Sequence, residues 1–107
     1  MGQPLNSKRL ALKVVHQMMA KRIQQVLDDP NLSPVQSSIY RTVLELNNKL
    51  SRTKLLSQYN ILLRQASHMT GSAKTIVQQQ SITYVNLIAW WTEYARAASF
   101  IWDVEID

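Results

Sequence analysis

Turn-forming residues are scarce in this chain, and that scarcity constrains its fold more than any other feature of the sequence. Only two glycines and three prolines occur among its 107 residues. Long stretches without either residue favour helices over the short, turn-separated strands of an all-β fold. Apolar residues make up 46% of the chain, which is enough for one hydrophobic core. We therefore expect one all-α domain over residues 1–107, built as a small bundle of about three to five helices.

The first half of the chain contains two segments with helical apolar spacing. The first is predicted to span residues 8–27, with Asn6 or Ser7 as its N-cap and an Asp-Asp-Pro sequence after its end. The second is predicted over residues 34–50, because Ser33 can cap a helix whose first position is proline.

The phase of the apolar pattern shifts about halfway along the chain. Asparagine, serine and threonine residues, which are poor in a helix interior, cluster at the shift, so we expect a break or kink near residues 47–53. A third helix is then predicted over residues 54–70, with Gly71 as its C-cap. A fourth is predicted over residues 73–102, where large apolar side chains again recur at helical spacing.

Two stretches near the end of the chain carry strand-like patterns. The β-branched cluster at residues 82–85 leaves a strand as the alternative to the fourth helix there. The acidic tail over residues 103–107 alternates acidic and apolar side chains, which is typical of an extended segment. Acids are unfavourable at the end of a continuing helix, which also favours an extended tail. The tail can serve solubility alone, or it can pair with a basic face of this chain or of a neighbour.

Charge is divided unevenly along the chain. Residues 1–92 carry eleven basic and three acidic side chains, whereas residues 93–107 carry four acidic and one basic. A basic helical body is typical of proteins that bind a polyanion, most often nucleic acid. The expected function is therefore non-catalytic, sequence-independent binding of the RNA or DNA backbone, by a small subunit of a larger nucleoprotein assembly.

The candidate phosphate contacts are basic residues that the helical pattern places away from the apolar stripes. One group shares the polar face of the first helix, and a second forms a row along one side of the predicted second helix. No recognition-helix, zinc-finger or RNA-binding aromatic motif accompanies them, so we expect contacts to the backbone rather than to base edges. The candidate residues are Lys8, Arg9, Lys13, Lys21, Arg41, Lys49, Arg52 and Lys54.

Three other interpretations of the basic faces stay open. They can form a solvated surface without a partner, since a net charge of +5 is common in small domains. They can bind an acidic protein, which would make the chain an adaptor or an inhibitor. A viral double-stranded-RNA binder is the third alternative, because small helical dimers can bind such RNA through basic faces alone.

Aromatic residues are concentrated between residues 90 and 102. Trp91 and Trp102 lie on the main apolar stripe of the fourth helix, so they are expected in the core. Apolar residues on more than one side of this helix predict a second buried face, against another protein subunit. Copies of the same chain are among the candidate partners. The predicted interface residues are Trp90, Phe100 and Trp102.

The sequence contains no pattern typical of an enzyme, a metal site or a cofactor site. The absence of cysteine excludes disulfides, thiolate ligands and cysteine nucleophiles. His16 and His68 stand apart without metal-ligand spacing, and two separated glycines cannot form a phosphate-binding loop. We therefore expect no catalytic residue, no metal and no cofactor.

Membrane association is not expected either. The N-terminal sequence lacks the apolar core of a signal peptide. The longest uncharged run, residues 75–92, contains too many polar residues to span a bilayer. These observations predict a cytoplasmic protein without a membrane partner.

One stretch of the fourth helix resembles a known family. The segment YVNLIAWWTEYARA, residues 84–97, is similar to the C-terminal helix of the small α-helical subunits of CRISPR RNA-guided effector complexes. Those subunits are also small, all-α and basic. The resemblance implies a non-enzymatic subunit of an antiviral ribonucleoprotein, which stacks along the complex and holds crRNA-paired or displaced DNA electrostatically. It covers 14 residues and carries over no individual binding residue.

Overall fold

Helices make up the regular structure of the protein. The computed structural model describes the backbone of residues 4–106 and the side chains of residues 6–106. The elements in that range are α1 (Pro4–Leu27), α2 (Pro34–Glu45), a 3₁₀ turn (Asn47–Lys49), α3 (Arg52–Ala66) and α4 (Gly71–Trp102). The predicted all-α bundle is confirmed. The alternative strand at residues 82–85 is wrong, because those residues lie inside α4.

Helix α1 begins earlier than the sequence predicted. Its first residue is Pro4 instead of residue 8. Proline suits the first turn of a helix, because the N–H group that it lacks would have no intrahelical partner there. Asn6 and Ser7, predicted as N-caps, therefore lie inside the helix. The predicted end at Leu27 is confirmed.

The predicted break in the middle of the chain is confirmed, but the helices on either side of it are shorter than expected. Helix α2 ends at Glu45 instead of residue 50, and the 3₁₀ turn follows. Ser33 caps α2 as predicted, since its side chain accepts a hydrogen bond from the Gln36 N–H group at 3.2 Å. Ser51 makes the equivalent cap for α3 by accepting from the Lys54 N–H group at 3.2 Å. Helix α3 therefore starts at residue 52 instead of residue 54.

The connection between α3 and α4 differs from the prediction. Helix α3 ends at Ala66 instead of residue 70, and Ser67 is its C-cap. Gly71, predicted as that C-cap, is instead the first residue of α4, with φ of +66°. This backbone conformation strains residues with a side chain, so glycine suits the position.

Helix α4 is the element against which the other three helices pack. It is 32 residues long, and the molecule measures 58 by 30 by 19 Å. The Arg22 guanidinium lies over the Trp90 ring, and Lys8 of α1 shares a groove with Ser99 of α4. Helix α1 therefore runs antiparallel to α4. No helix in the described range combines the length and the apolar character needed to cross a membrane.

The core lies between α4 and the other three helices. Trp91 is fully buried at its centre, as predicted, and Met19 of α1 is fully buried too. Tyr40 is buried in α2, whereas Leu46 is 48% exposed. Leu46 is exposed because α2 ends one residue before it. The buried hydrophobic cluster consists of Ala11, Val15, Met19, Ile23, Tyr40, Val43, Leu55, Leu87, Trp91, Ala95 and Ala98.

The acidic tail packs on its own chain. Asp103 ends α4 in the left-handed conformation, with φ of 51°, which aspartate tolerates better than most residues. Val104 and Ile106 then pack against the core cluster, whereas Glu105 points to solvent. The predicted alternation is therefore real, although the described part of the tail forms no strand. The tail meets a basic segment of its own chain, since it shares a groove with Lys8.

Two adjacent methionines provide a test of this core. Met19 is fully buried, whereas Met18 is 41% exposed. We expect Met19→Ala to lower the free energy of unfolding by about 2–5 kcal/mol, because it removes buried methylene groups and leaves a cavity. Met18→Ala should lower it by less than about 1 kcal/mol. Urea unfolding followed by circular dichroism measures both changes, and equal losses would contradict the packing of α1 described above.

Candidate nucleic-acid interface

The predicted basic row on the second helix is divided in the structure. Arg41 and Glu45 remain on α2, where both line a polar groove. Lys49 lies in the 3₁₀ turn, and Arg52 begins α3. The Nε of Arg52 donates to Thr92 Oγ1 of α4 at 3.2 Å. The expectation of one continuous row is therefore wrong, because it required a single helix through residue 52 and α2 ends at residue 45.

The 3₁₀ turn instead contributes to two grooves, each of them lined by a pair of basic residues. The turn packs against α1, so that Arg9 and Lys13 of α1 line one groove with Asn48 of the turn. Lys49 and Lys54 line a second groove, between the turn and α3. All four cations are exposed. We call these four residues, Arg9, Lys13, Lys49 and Lys54, the basic corner.

Hydrogen bonds to backbone carbonyls hold the turn against α1. Asn47, which is 9% exposed, donates from its amide Nδ2 to the carbonyl oxygen of His16. The Nε2 atom of His16 lies 3.3 Å from the carbonyl oxygen of Leu50, directly after the turn. The centroid of the same ring lies 5.4 Å from that of Trp91 in the core. His16 therefore connects the core to the turn, which gives this histidine a structural role.

No carboxylate within the described side chains neutralises the basic corner. Among residues 6–106, no member of the corner forms an ion pair. Lys54 Nζ donates a hydrogen bond to the carbonyl oxygen of Lys49 at 2.7 Å, which uses one of the three donors of that ammonium group. The corner therefore combines exposed cations with uncompensated charge, which is what attracts an anion.

The other predicted phosphate contacts lie outside the basic corner. Lys8 shares its groove with Glu105 of the tail. Lys21 is exposed about 12 Å further along α1 than Lys13. Arg41 is exposed on α2, in the groove that it shares with an acid. The structure thus places four of the eight candidates in the two grooves beside the 3₁₀ turn, with Arg52 at the start of α3 and the other three elsewhere on the surface.

The predicted interface aromatics have different environments. The rings of Trp90 and Tyr40 are stacked, with centroids 5.8 Å apart and planes inclined by 16°. The Arg22 guanidinium lies 5.1 Å from the centroid of the Trp90 ring, within cation–π range. Trp90 and Trp102 are both half-buried against the core of their own chain. Phe100 is 89% exposed, so it is the predicted interface aromatic that is open to solvent.

The sequence analysis did not single out the amide side chains beside the basic corner as contacts. Gln17 and Asn48 line the same groove as Arg9 and Lys13. Both are exposed, and amides can donate hydrogen bonds to phosphate and sugar oxygens. The Asn-Asn pair directly before Lys49, at the predicted break, is the signal that could have located part of this groove.

Neither metal ligation nor similarity to another protein points to a function. In the part of the chain that the structure describes, no three His, Asp or Glu side chains are grouped so that they could hold a metal ion. No protein family, curated protein or solved structure matches the chain. The exposure, charge and hydrogen bonding of the basic corner are therefore the observations from which a function can be proposed.

Tyr84 provides a test of the groove beside Lys49 and Lys54. It lines that groove, and burial raises the pKa of its phenol above the usual value of about 10. Folding therefore favours the neutral phenol, and this contribution to stability is present below pH 10 and is lost as the pH rises through the raised pKa. We expect the free energy of unfolding to fall more steeply above about pH 10 in the wild type than in Tyr84→Phe. Urea titrations between neutral and alkaline pH measure the two slopes, and identical slopes would contradict the burial of the phenol.

Proposed function

We propose that this chain binds the phosphate backbone of nucleic acids through the basic corner, without sequence specificity. It acts as a non-catalytic small subunit of a larger nucleoprotein assembly. The observation that carries the proposal is that exposed cations from two distant segments line the two grooves beside one turn, and that none of them forms an ion pair within residues 6–106. Phosphate backbones are bound by Lys and Arg side chains spread over an area, and the corner presents such an array.

The surroundings of the corner favour contacts to the backbone over contacts to bases. Base stacking needs an aromatic face open to the ligand. Tyr84, the aromatic residue in the groove of Lys49 and Lys54, is half-buried, and so is Trp90, whose ring contacts Tyr40 and the Arg22 guanidinium. Gln17 and Asn48 supply neutral hydrogen-bond donors next to the cations. This combination suits phosphate and sugar oxygens, which every sequence presents equally.

The acidic tail sets a limit to the proposed contact. It packs where α1 begins, with Glu105 in the groove of Lys8. A phosphate close to this carboxylate would be repelled, so the tail restricts a bound backbone to the turn side of Arg9. The expected path therefore follows Lys13 and then crosses the turn to Lys49 and Lys54.

Two double charge reversals test this path. Lys13→Glu with Lys49→Glu changes the basic corner, and Arg64→Glu with Lys74→Glu makes the same change in net charge elsewhere. Arg64 lies about 18 Å beyond Arg52 along α3. We expect the corner variant to bind random-sequence DNA and RNA at least about tenfold more weakly, and the control variant to stay within about threefold of the wild type.

Salt dependence adds a second measurement. Loss of two phosphate contacts should reduce the slope of log affinity against log salt by about 1.8 on duplex DNA, since each contact contributes about 0.9. Equal losses in the corner and control variants would show that overall charge, rather than the corner, attracts the nucleic acid. Affinity that does not change with salt would contradict the proposal outright. Retention on heparin without any gel shift on DNA or RNA would favour an acidic protein as the partner.

A further inference from the structure

Helix α4 has a second face that none of the other helices covers. It lies on the opposite side of the helix from Trp91 and consists of residues spaced three or four apart, all of them exposed. Ile82 is 57% exposed, Val85 46% and Phe100 89%. We call this surface the outer face of α4. It comprises Ile82, Val85, Ala89, Glu93, Arg96 and Phe100.

The C-terminal half of the outer face forms a shallow groove. Phe100 and Ile101, 89% and 68% exposed, stand at one end of it. Ala89 lies at the other end, where only a methyl group projects. Glu93 and Arg96 lie between the two ends. The groove thus carries a bulky aromatic at one end, a gap at the other, and one charge of each sign between them.

The order of residues in this groove is self-complementary. Consider two copies of the helix lying antiparallel, with residues 94 and 95 of each at the centre. Six residues of the groove then lie opposite one another in three pairs: Ala89 with Phe100, Thr92 with Ala97, and Glu93 with Arg96. The first pair matches an aromatic ring with a gap, and the second matches two small side chains. The third pair matches an acid with a base. A two-fold axis through this point therefore brings each group opposite its complement.

We propose that two copies of this chain associate through the outer faces of their α4 helices, packed antiparallel about that axis. Phe100 of one copy fills the gap at Ala89 of the other, and Glu93 of each copy pairs with Arg96 of the other. The two aromatic contacts lie about 16 Å apart along the helix, on either side of the two ion pairs. Alanine at the contact lets the two helices approach closely.

The charged residues of the groove favour a second copy of this chain as its partner. Glu93 and Arg96 are exposed, and within residues 6–106 neither forms an ion pair. One acid and one base give the groove no net charge, so it does not attract a polyanion. Parallel packing in register would place Glu93 beside Glu93, which is repulsive. Antiparallel packing instead satisfies both charges in each copy.

This interface is separate from the proposed nucleic-acid contact. Helix α1 packs on the core side of α4, and the 3₁₀ turn packs against α1. None of the four corner residues lines the groove of the outer face, and Arg52 of α3 adjoins that groove through its hydrogen bond to Thr92. The dimer proposal does not rest on nucleic-acid binding, and it is tested on nuclease-treated protein.

Charge exchange at the groove gives the sharpest test. Sedimentation velocity at increasing protein concentration measures the monomer–dimer equilibrium. We expect the wild type to dimerise, and Glu93→Arg and Arg96→Glu each to weaken dimerisation at least about tenfold, since each places like charges opposite one another. The double variant restores both pairs and should dimerise as the wild type does. An equimolar mixture of the two single variants should form a mixed dimer.

Two further variants separate loss of the interface from loss of the fold. Phe100→Asp should abolish dimerisation, whereas Leu10→Asp, at a 53% exposed position of α1, should leave it unchanged. Circular dichroism checks that each variant is folded. A wild type that stays monomeric at the highest attainable concentration overturns the proposal. So does a double variant that fails to dimerise while the wild type dimerises, because the antiparallel register requires the rescue.

Discussion

Burial of Trp91 between α4 and α1 is the contact on which the rest of the structure depends. The side chain is fully buried and is the largest in the core. Its ring lies next to His16, whose carbonyl oxygen accepts the amide hydrogen bond of Asn47. The core therefore extends through one histidine into the turn that forms the basic corner. Loss of packing at Trp91 would therefore also disturb the turn that carries Lys49.

The 3₁₀ turn forms because the residues that follow α2 disfavour a helix. Asparagine side chains compete with the backbone for hydrogen bonds, so the Asn-Asn pair is unfavourable in a helix interior. Asn47 gains a partner by leaving the helix, since its amide reaches the second lone pair of the His16 carbonyl. The same change of direction moves Lys49 away from Arg41 and towards α1. A local preference against helix thus creates a tertiary cluster of cations.

The apolar periodicity predicted features that depend on contacts within one helix, such as buried stripes. It could not predict features that depend on contacts between helices, such as shared grooves. The buried stripe of α1, with Met19 at its centre, follows from spacing alone. The break near residue 47 follows from residue types, and it is also the reason that the predicted row through Lys49 is wrong. No spacing rule could show that Arg9 and Asn48 share a groove, because the two residues are 39 positions apart. Spacing also could not show that the Trp90 ring is partly covered, because Tyr40, which stacks on it, belongs to another helix.

The two proposed surfaces have a joint consequence for the kind of nucleic acid bound. A two-fold dimer built on the outer faces presents two basic corners related by a dyad. The backbones of a double helix are related by dyads as well, whereas a single strand has no such symmetry. Two corners that engage one duplex act together, so their joint affinity exceeds that of either corner alone when the geometry permits both contacts. Under the two proposals, a duplex whose phosphates reach both corners would therefore bind the dimer more tightly than the monomer, without any contact between Phe100 or Ala89 and the nucleic acid.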